Sequence, residues 1–319
     1  MLIKGKKILV TGGAGFIGSH IIDALLKEEA EKIIVLDNFC RGRTENLESA
    51  KKSGKVEIIN GDIRDFNLVN ELCKDTDYVF HEAAIRITQC AKEPRLSHEV
   101  MADGTYNVFE ACVKNNVKKL IFASSASVYG DPSYLPMDEK HPFNNKTSYG
   151  VGKIYSENLA KSFRDMFGLN YIGFRYFNVY GPRMDIFGVY TEVMIKWLDR
   201  IDEGKPPILH GDGKQSMDFV YVEDVVKANI LALKSDINEG VYNVGTGTET
   251  DLNSLCQTML NLTNPKLKPE YKIPEKLVIV SRRRAATENA KKDLGFEAKI
   301  KLDEGIKKLI EWRKKEKND

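Results

Sequence analysis

The 319 residues predict an α/β protein, a doubly wound parallel sheet with a smaller C-terminal domain. Three observations carry this expectation. Short β-rich runs alternate with helical patterns through the first half, as parallel strands joined by right-handed helical crossovers require. A glycine-rich turn follows the first of those runs and opens a helix. Beyond about residue 180 the alternation loosens, and loops rich in Gly and Pro separate shorter elements.

Taken in order, KKILVTG, KIIVLD, VEIING, DYVFHEA, KLIFASS and YIGFRYFN are strands. The loops GPRMDIFG, GKPPILHGDG and TNPKLKPEYKIP then punctuate the second half. The expected division is residues 1–180 and 181–319, with the strand and helix of DFVYVEDVVKANILALK, at about 218–236, packing back on the main sheet. The last residues, RKKEKND, have the composition of a frayed, solvated tail.

With 48 basic and 46 acidic residues, the net charge of +2 creates no field to draw in nucleic acid or an anionic membrane. Five cysteines, odd in number and never spaced CxxC, argue against a disulfide framework or a zinc site, and His20, His98, His141 and His210 form no metal-binding spacing. No metal is expected. The N-terminal apolar run is too short for a signal peptide, and no stretch approaches the roughly 20 apolar residues of a membrane span. A soluble, cytoplasmic protein is the expectation.

In TGGAGFIGSH, Gly13, Gly15 and Gly18 satisfy GxGxxG, while Gly12, Gly15 and Gly18 satisfy GxxGxxG. Small residues there permit a tight turn and close approach of a pyrophosphate to backbone N–H groups at a helix N-terminus. The second strand ends at Asp37, 19 residues beyond Gly18, where a carboxylate can bond the adenosine ribose hydroxyls. A Rossmann-type NAD site is expected, for which Phe16, Ile17, Asn38, Ile63 and Ala83 are the further candidates. Asp37 would repel a 2′-phosphate, although Arg41 and Arg43 could serve NADP. Asp62, in GDI, either reaches the adenine amino group or is a turn aspartate.

The stretch TSYGVGK places Tyr149 and Lys153 four residues apart, on one face of a helix that Ser148 would cap. Alone, that spacing is more often just a solvated helix start. The company it keeps changes the odds. TGGAGFIG, HEAA (81–84), SSASVYG (124–130), YGVGK, RYFNVYGPR (175–183), DFVYVEDV (218–225) and YNVGTG (242–247) occur in this order over nearly the whole chain. In this the chain resembles the extended short-chain dehydrogenase/reductase family, and within it the NAD-dependent nucleotide-sugar epimerases and dehydratases, UDP-glucose 4-epimerase among them.

The resemblance implies that the family's catalytic Tyr and Lys fall on Tyr149 and Lys153 and its catalytic Ser/Thr on Ser125. A phenol, with a pKa near 10, is a poor base at neutral pH unless a cation favours the phenolate. Lys153, together with the positive nicotinamide, would supply that charge; lowering by about two to three units would poise Tyr149 to take a proton from a sugar hydroxyl. Lys153 would also bond the nicotinamide ribose, and Ser125 would hold the reacting hydroxyl. The 4,6-dehydratases carry Thr-Asp-Glu where this chain has Ser125, Ala126 and Ser127, which cannot do the extra proton work of water loss. Epimerisation at C4 of a UDP-sugar is therefore favoured over dehydration. A catalytically silent NAD-sensing protein is the rival of another class.

At the substrate end the resemblance places Asn178 and Arg183 near the nucleotide diphosphate, and Arg86 where it could face the substrate. The family's arginine before DF is Met217, its Asn of NxxGT is Met101, and its late Arg-x-x-Asp has become SRRRAATENA, in which Arg282, Arg283 and Arg284 could replace the lost diphosphate contact or form a surface cluster. His81 is expected to pack rather than to carry protons. Two apolar stripes, Met101, Thr105, Val108, Phe109 and Cys112, and Tyr155, Leu159, Phe163, Met166 and Phe167, are mostly core. In related enzymes two such helices pair across a twofold axis, so a homodimer is expected.

Overall fold

The computed structural model describes residues 3–186, 193–273 and 280–318. The ends of the loops GPRMDIFG and TNPKLKPEYKIP lie outside them. In chain order the strands are β1 (Lys7–Thr11), β2 (Lys32–Asp37), β3 (Val56–Asn60), β4 (Tyr78–His81), β5 (Lys119–Ser125), β6 (Tyr171–Tyr176), β7 (Asn178–Tyr180), β8 (Ile208–His210), β9 (Ser216–Met217), β10 (Phe219–Tyr221), β11 (Val241–Val244), β12 (Thr250–Asp251) and β13 (Glu270–Lys272).

Seven of them form one parallel sheet in the order β11-β6-β5-β4-β1-β2-β3. All six strands expected from the sequence are there, because central parallel strands are apolar on both faces and stand out as continuous runs. The seventh, β11, pairs with β6 in the register Val241↔Gly173 to Val244↔Tyr176 and is supplied by the second half of the chain. One face is closed by the helices Phe16–Lys27, Val222–Lys234 and Glu288–Leu294, whose Ile21, Val225, Leu233 and Ala290 join Ile8, Val10 and Phe80 in a single core. The other is closed by Phe66–Cys73, Thr105–Lys114 and Ser148–Phe167 over Leu9, Val79 and Phe122. Strand order reverses between β1 and β4, so a crevice opens at their carboxyl ends, where such sheets bind ligands.

A third core, around Trp197, Leu198, Leu255, Met259, Ile306 and Leu309, belongs to the helices Val193–Asp202, Leu252–Leu262 and Leu302–Asn318. Here the expected frayed tail is corrected. Arg313 is 2% exposed, and its guanidinium bonds Asp202 at 2.5 Å and also Asp199, so paired charge keeps this stretch helical to Asn318. Met217 packs against this core and Met101 against Gly152, so neither methionine is among the residues that line the crevice.

An extended strap, residues 281–286, stitches the halves together. Ser216 N donates to Ser281 O (3.0 Å) and Arg283 N to Ser216 O (2.9 Å); on its other side Met137 N donates to Arg284 O and Ala286 N to Met137 O, both at 2.8 Å.

Candidate active site

The site begins at the glycine turn. Gly12 has φ +69°, and a Cβ there would lie 2.6 Å from Ala83 N, in the backbone just beyond β4. Only glycine fits both demands. Gly18 touches the turn equally closely: its Cβ would sit 2.4 Å from Gly12 O. The helix that follows, Phe16–Lys27, has no side-chain cap and no acidic residue in its first turn, which leaves its N–H groups to an anion. Asp37 is fixed by backbone donors, Ala14 N to Oδ2 and Phe39 N to Oδ1, each 2.9 Å, and keeps further lone pairs for ribose hydroxyls. Burial pushes its pKa up. Arg41 is engaged by Asp185 (2.5 Å) and Arg43 by Glu45 (3.4 Å) rather than offered to a 2′-phosphate. Asp62 is gripped by Arg64 through Nε (3.0 Å) and Nη2 (2.9 Å) and by Asn38 Nδ2 (2.9 Å), and Arg64 holds its pKa down to about 2. It stays an acceptor for an amino group.

These groups fit NAD. They line a cleft of ≈ 610 Å³ with Gly15, Phe16, Ile17, Ile63 and Ala83, and the same cleft continues to Ser125, Tyr149 and Lys153.

Tyr149 and Lys153 stand on the first turns of the helix Ser148–Phe167. Its cap is Thr147, not the Ser148 suggested by the sequence: Thr147 Oγ1 accepts from Gly150 N (3.1 Å), and Ser148 Oγ instead donates to Cys90 O (3.1 Å). Lys153 is 4% exposed, donates to Ala123 O at 2.6 Å, and sits 5.7 Å from the centre of the Tyr149 ring. Burial lowers its pKa to about 8, opposed by Glu82. Burial also drives Tyr149 up to about 12, against the Ser125 hydroxyl and the charge of Arg283, which pull it down. The lowering expected from Lys153 is thus not achieved by the protein's own charges, because desolvation of the phenolate outweighs them. Ser125 Oγ donates to Ser127 Oγ (3.2 Å) and accepts from Ser127 N (3.1 Å), and the Ser125 hydroxyl also reaches the phenol.

His81 is saturated by Thr11 (2.8 Å) and Thr105 (3.2 Å), and burial takes its pKa down to about 3. It packs. The next residue, Glu82, lines the cleft and accepts from Tyr176 Oη (3.2 Å), and burial pushes its pKa up to about 8. Sequence reasoning passed over Glu82; its signal was a carboxylate immediately after a strand that ends at the crevice.

Of the expected substrate residues, Arg86, Asn178 and Arg183 line the cleft. Asn178 Oδ1 and Arg183 Nη1 are enclosed without a hydrogen-bond partner, while Arg183 Nη2 pairs with Asp23 at 2.7 Å. Arg282 is displaced from its expected place. It is exposed and chelated by Glu249 at 2.7 and 2.6 Å, and it is Arg283 that lines the cleft. In an extended strap neighbouring side chains point to opposite faces, so a shift of one residue exchanges wall for surface.

The model of the NAD dependent epimerase/dehydratase family matches residues 8–245. A UDP-glucose 4-epimerase of Mycolicibacterium smegmatis is 34% identical over 309 residues, 96% of this chain and 98% of that one. Two solved structures superpose over almost all of both chains at 35% identity. A UDP-N-acetylglucosamine 4-epimerase from Methanobrevibacter ruminantium, in complex with UDP-N-acetylmuramic acid, has a TM-score of 0.90 and covers 98% of this chain and 99% of its own. A UDP-glucose 4-epimerase from Thermotoga maritima, with UDP-glucose, has 0.91, covering 97% and 99%. With the dinucleotide cradle and the Ser125, Tyr149 and Lys153 cluster in one cleft, the chain belongs to the NAD-dependent epimerase/dehydratase family.

Proposed function

We infer that this protein is an NAD-dependent nucleotide-sugar 4-epimerase, acting on a UDP-linked sugar through a transient 4-keto form. The observation that carries the reading is the convergence of Ser125, Tyr149 and Lys153 at the mouth of the dinucleotide cradle, with Ala126, 1% exposed, where a dehydratase places a carboxylic acid. Tyr149 takes the proton of the C4 hydroxyl and later returns it; Ser125 and Ser127 hold the C4 oxygen. Bound NAD supplies the hydride acceptor and donor. Lys153 adds positive charge beside the phenolate and positions the ribose. Asn178 and Arg183, with enclosed atoms lacking partners, hold the nucleotide diphosphate, and Arg86 stands at the sugar. Glu82 could suggest an eliminating acid, but its carboxyl is bonded by Tyr176, itself held by Asn229.

We assign NAD binding chiefly to residues 1–180, with 218–236 packed back on them, and the rest of the substrate's binding surface to 181–319. No described helix is long and apolar enough to cross a membrane. With five unpaired cysteines, four of them buried, a reducing cytoplasm suits the chain. Homodimer formation is supported by exposed apolar groups on the two helices beside the site, Tyr106, Val151, Met166 and Phe167. The first apolar stripe, Met101, Thr105, Val108, Phe109 and Cys112, is closed inside the monomer as core, as expected. Light scattering should give twice 36.1 kDa; the monomer mass would remove the dimer.

Proton NMR of reactions with UDP-glucose, UDP-N-acetylglucosamine and UDP-glucuronic acid tests the activity. Inversion at C4 without net oxidation is expected. A 4-keto-6-deoxy product would establish a dehydratase instead.

A further inference from the structure

Arg283 and its neighbour Arg284 both keep an enclosed Nε without a hydrogen bond, and of the two only Arg283 lines the cleft, whereas most buried or half-buried arginines of this protein have a carboxylate partner. Arg175 has Glu157, Arg313 has Asp199 and Asp202, Arg183 has Asp23, and Arg41 has Asp185. Arg283 has no salt bridge among the described residues. Its Nε is fully enclosed and makes no hydrogen bond. The guanidinium lines the reaction cleft, and burial lowers its pKa to about 10, the direction expected of a cation that lacks an anion. Asp131, the carboxylate whose charge reaches it, is taken up by Lys146 and Ser281 N.

The position of Arg283 is fixed by the strap. Its N–H bonds Ser216 O, and the carbonyl of Arg284 binds Met137 N, so the side chain is carried by backbone anchored on both sides. The strap's Ala285 packs with Ala126 and Val128, the segment that carries Ser125 and Ser127, and Arg283 lines the same cleft as those serines and Tyr149. This locates the charge along the substrate. In a pyranose whose C4 hydroxyl meets Tyr149, the diphosphate on C1 lies across the ring. The C6 group, borne by C5, is the exocyclic carbon next to the reacting centre.

We propose that Arg283 receives a carboxylate at C6, so that the substrate is a UDP-hexuronic acid rather than a neutral UDP-hexose. This rests on the epimerase reading above and narrows it. A guanidinium pairs with a carboxylate through two parallel hydrogen bonds, which would satisfy the enclosed Nε; a C6 hydroxyl carries no charge to neutralise it. Arg283 is thus a specificity-determining residue.

The test measures kcat/KM for UDP-glucuronic acid and UDP-glucose, and Kd for UDP alone and for NAD, in the native protein, R283Q, R283K and R282Q. The native enzyme should prefer the uronic acid. R283Q should cut that preference roughly 100-fold, R283K should retain part of it, and the UDP and NAD constants should shift less than about threefold. Removing the Arg283 charge also affects the phenol, but Tyr149 is common to both sugars, so its contribution cancels in the ratio. R282Q, whose side chain lies outside the cleft, should keep the native ratio. If R283Q weakens UDP and both sugars alike, Arg283 grips the diphosphate and the proposal falls. A native preference for the neutral sugar also overturns it. Should no sugar be inverted, calorimetric titration of the two nucleotide sugars still reads the Arg283 arm separately: tighter binding of the uronic acid that R283Q erases upholds the proposal, and equal binding ends it.

Discussion

Tyr149→Phe should lower kcat by about 10³-fold while NAD remains bound with native affinity. The phenol is the acid–base group that meets the sugar, and phenylalanine keeps the ring that fills this half-buried position while deleting the oxygen. Two properties of the site set the size of the effect. Ser125 and Ser127 can hold the C4 oxygen but have no tendency to take its proton near neutral pH, so neither replaces the tyrosine. Glu82 lines the same cleft, but its carboxyl is engaged by Tyr176 Oη at 3.2 Å. The measurement is turnover by NMR beside NAD binding by fluorescence titration. Residual activity within tenfold of native would remove Tyr149 from the proton transfer.

The second large effect is expected from Gly12→Ala. NAD affinity should fall about 100-fold and stability by about 3 kcal/mol, because one methyl group meets two obstacles at once. The backbone at φ +69° is in the left-handed region, and the new Cβ would press on the Ala83 peptide at 2.6 Å, which is main chain and cannot rotate away. Gly5 separates these costs. It has nearly the same φ, +70°, with nothing within 4 Å of its Cβ position, so Gly5→Ala should lose only about 1 kcal/mol and leave NAD binding intact. Equal losses in the two variants, by calorimetric melting and NAD titration, would show that close approach at the turn is immaterial.

The contrast between β1 and β11 explains which parts of the fold were legible. KILVT is an apolar run followed directly by glycine and a helical pattern, so local sequence specifies strand, turn and helix together. VYNV is four residues long, and Asn243 looks wrong for a core strand. Its carboxamide is satisfied by Tyr129, Met137 and Ala286, three partners distant in sequence that no local pattern announces. The site divides the same way. Tyr149 and Lys153 come from one helix, where spacing alone sets their relation. Arg282 and Arg283 are neighbours in an extended strap, and which of them enters the cleft depends on how Ser216 and Met137 register against it. Thr147 and Ser148 were equally plausible caps by residue type; the first helical turn decides between them.

The strap also bears on the lifetime of the intermediate. A keto-sugar that must turn over inside the enzyme has two fates, reorientation or escape, and the ratio of their rates decides whether the product is an epimer or a ketone released to solvent. Parting the walls here would rupture backbone hydrogen bonds on both sides of residues 281–286, from Ser216 to Met137. Rotation of the sugar ring about its bonds to the diphosphate breaks none of them. Confinement by main chain, rather than by a mobile flap, therefore tilts the competition toward reorientation and keeps the oxidised sugar and its reducing equivalents within one turnover.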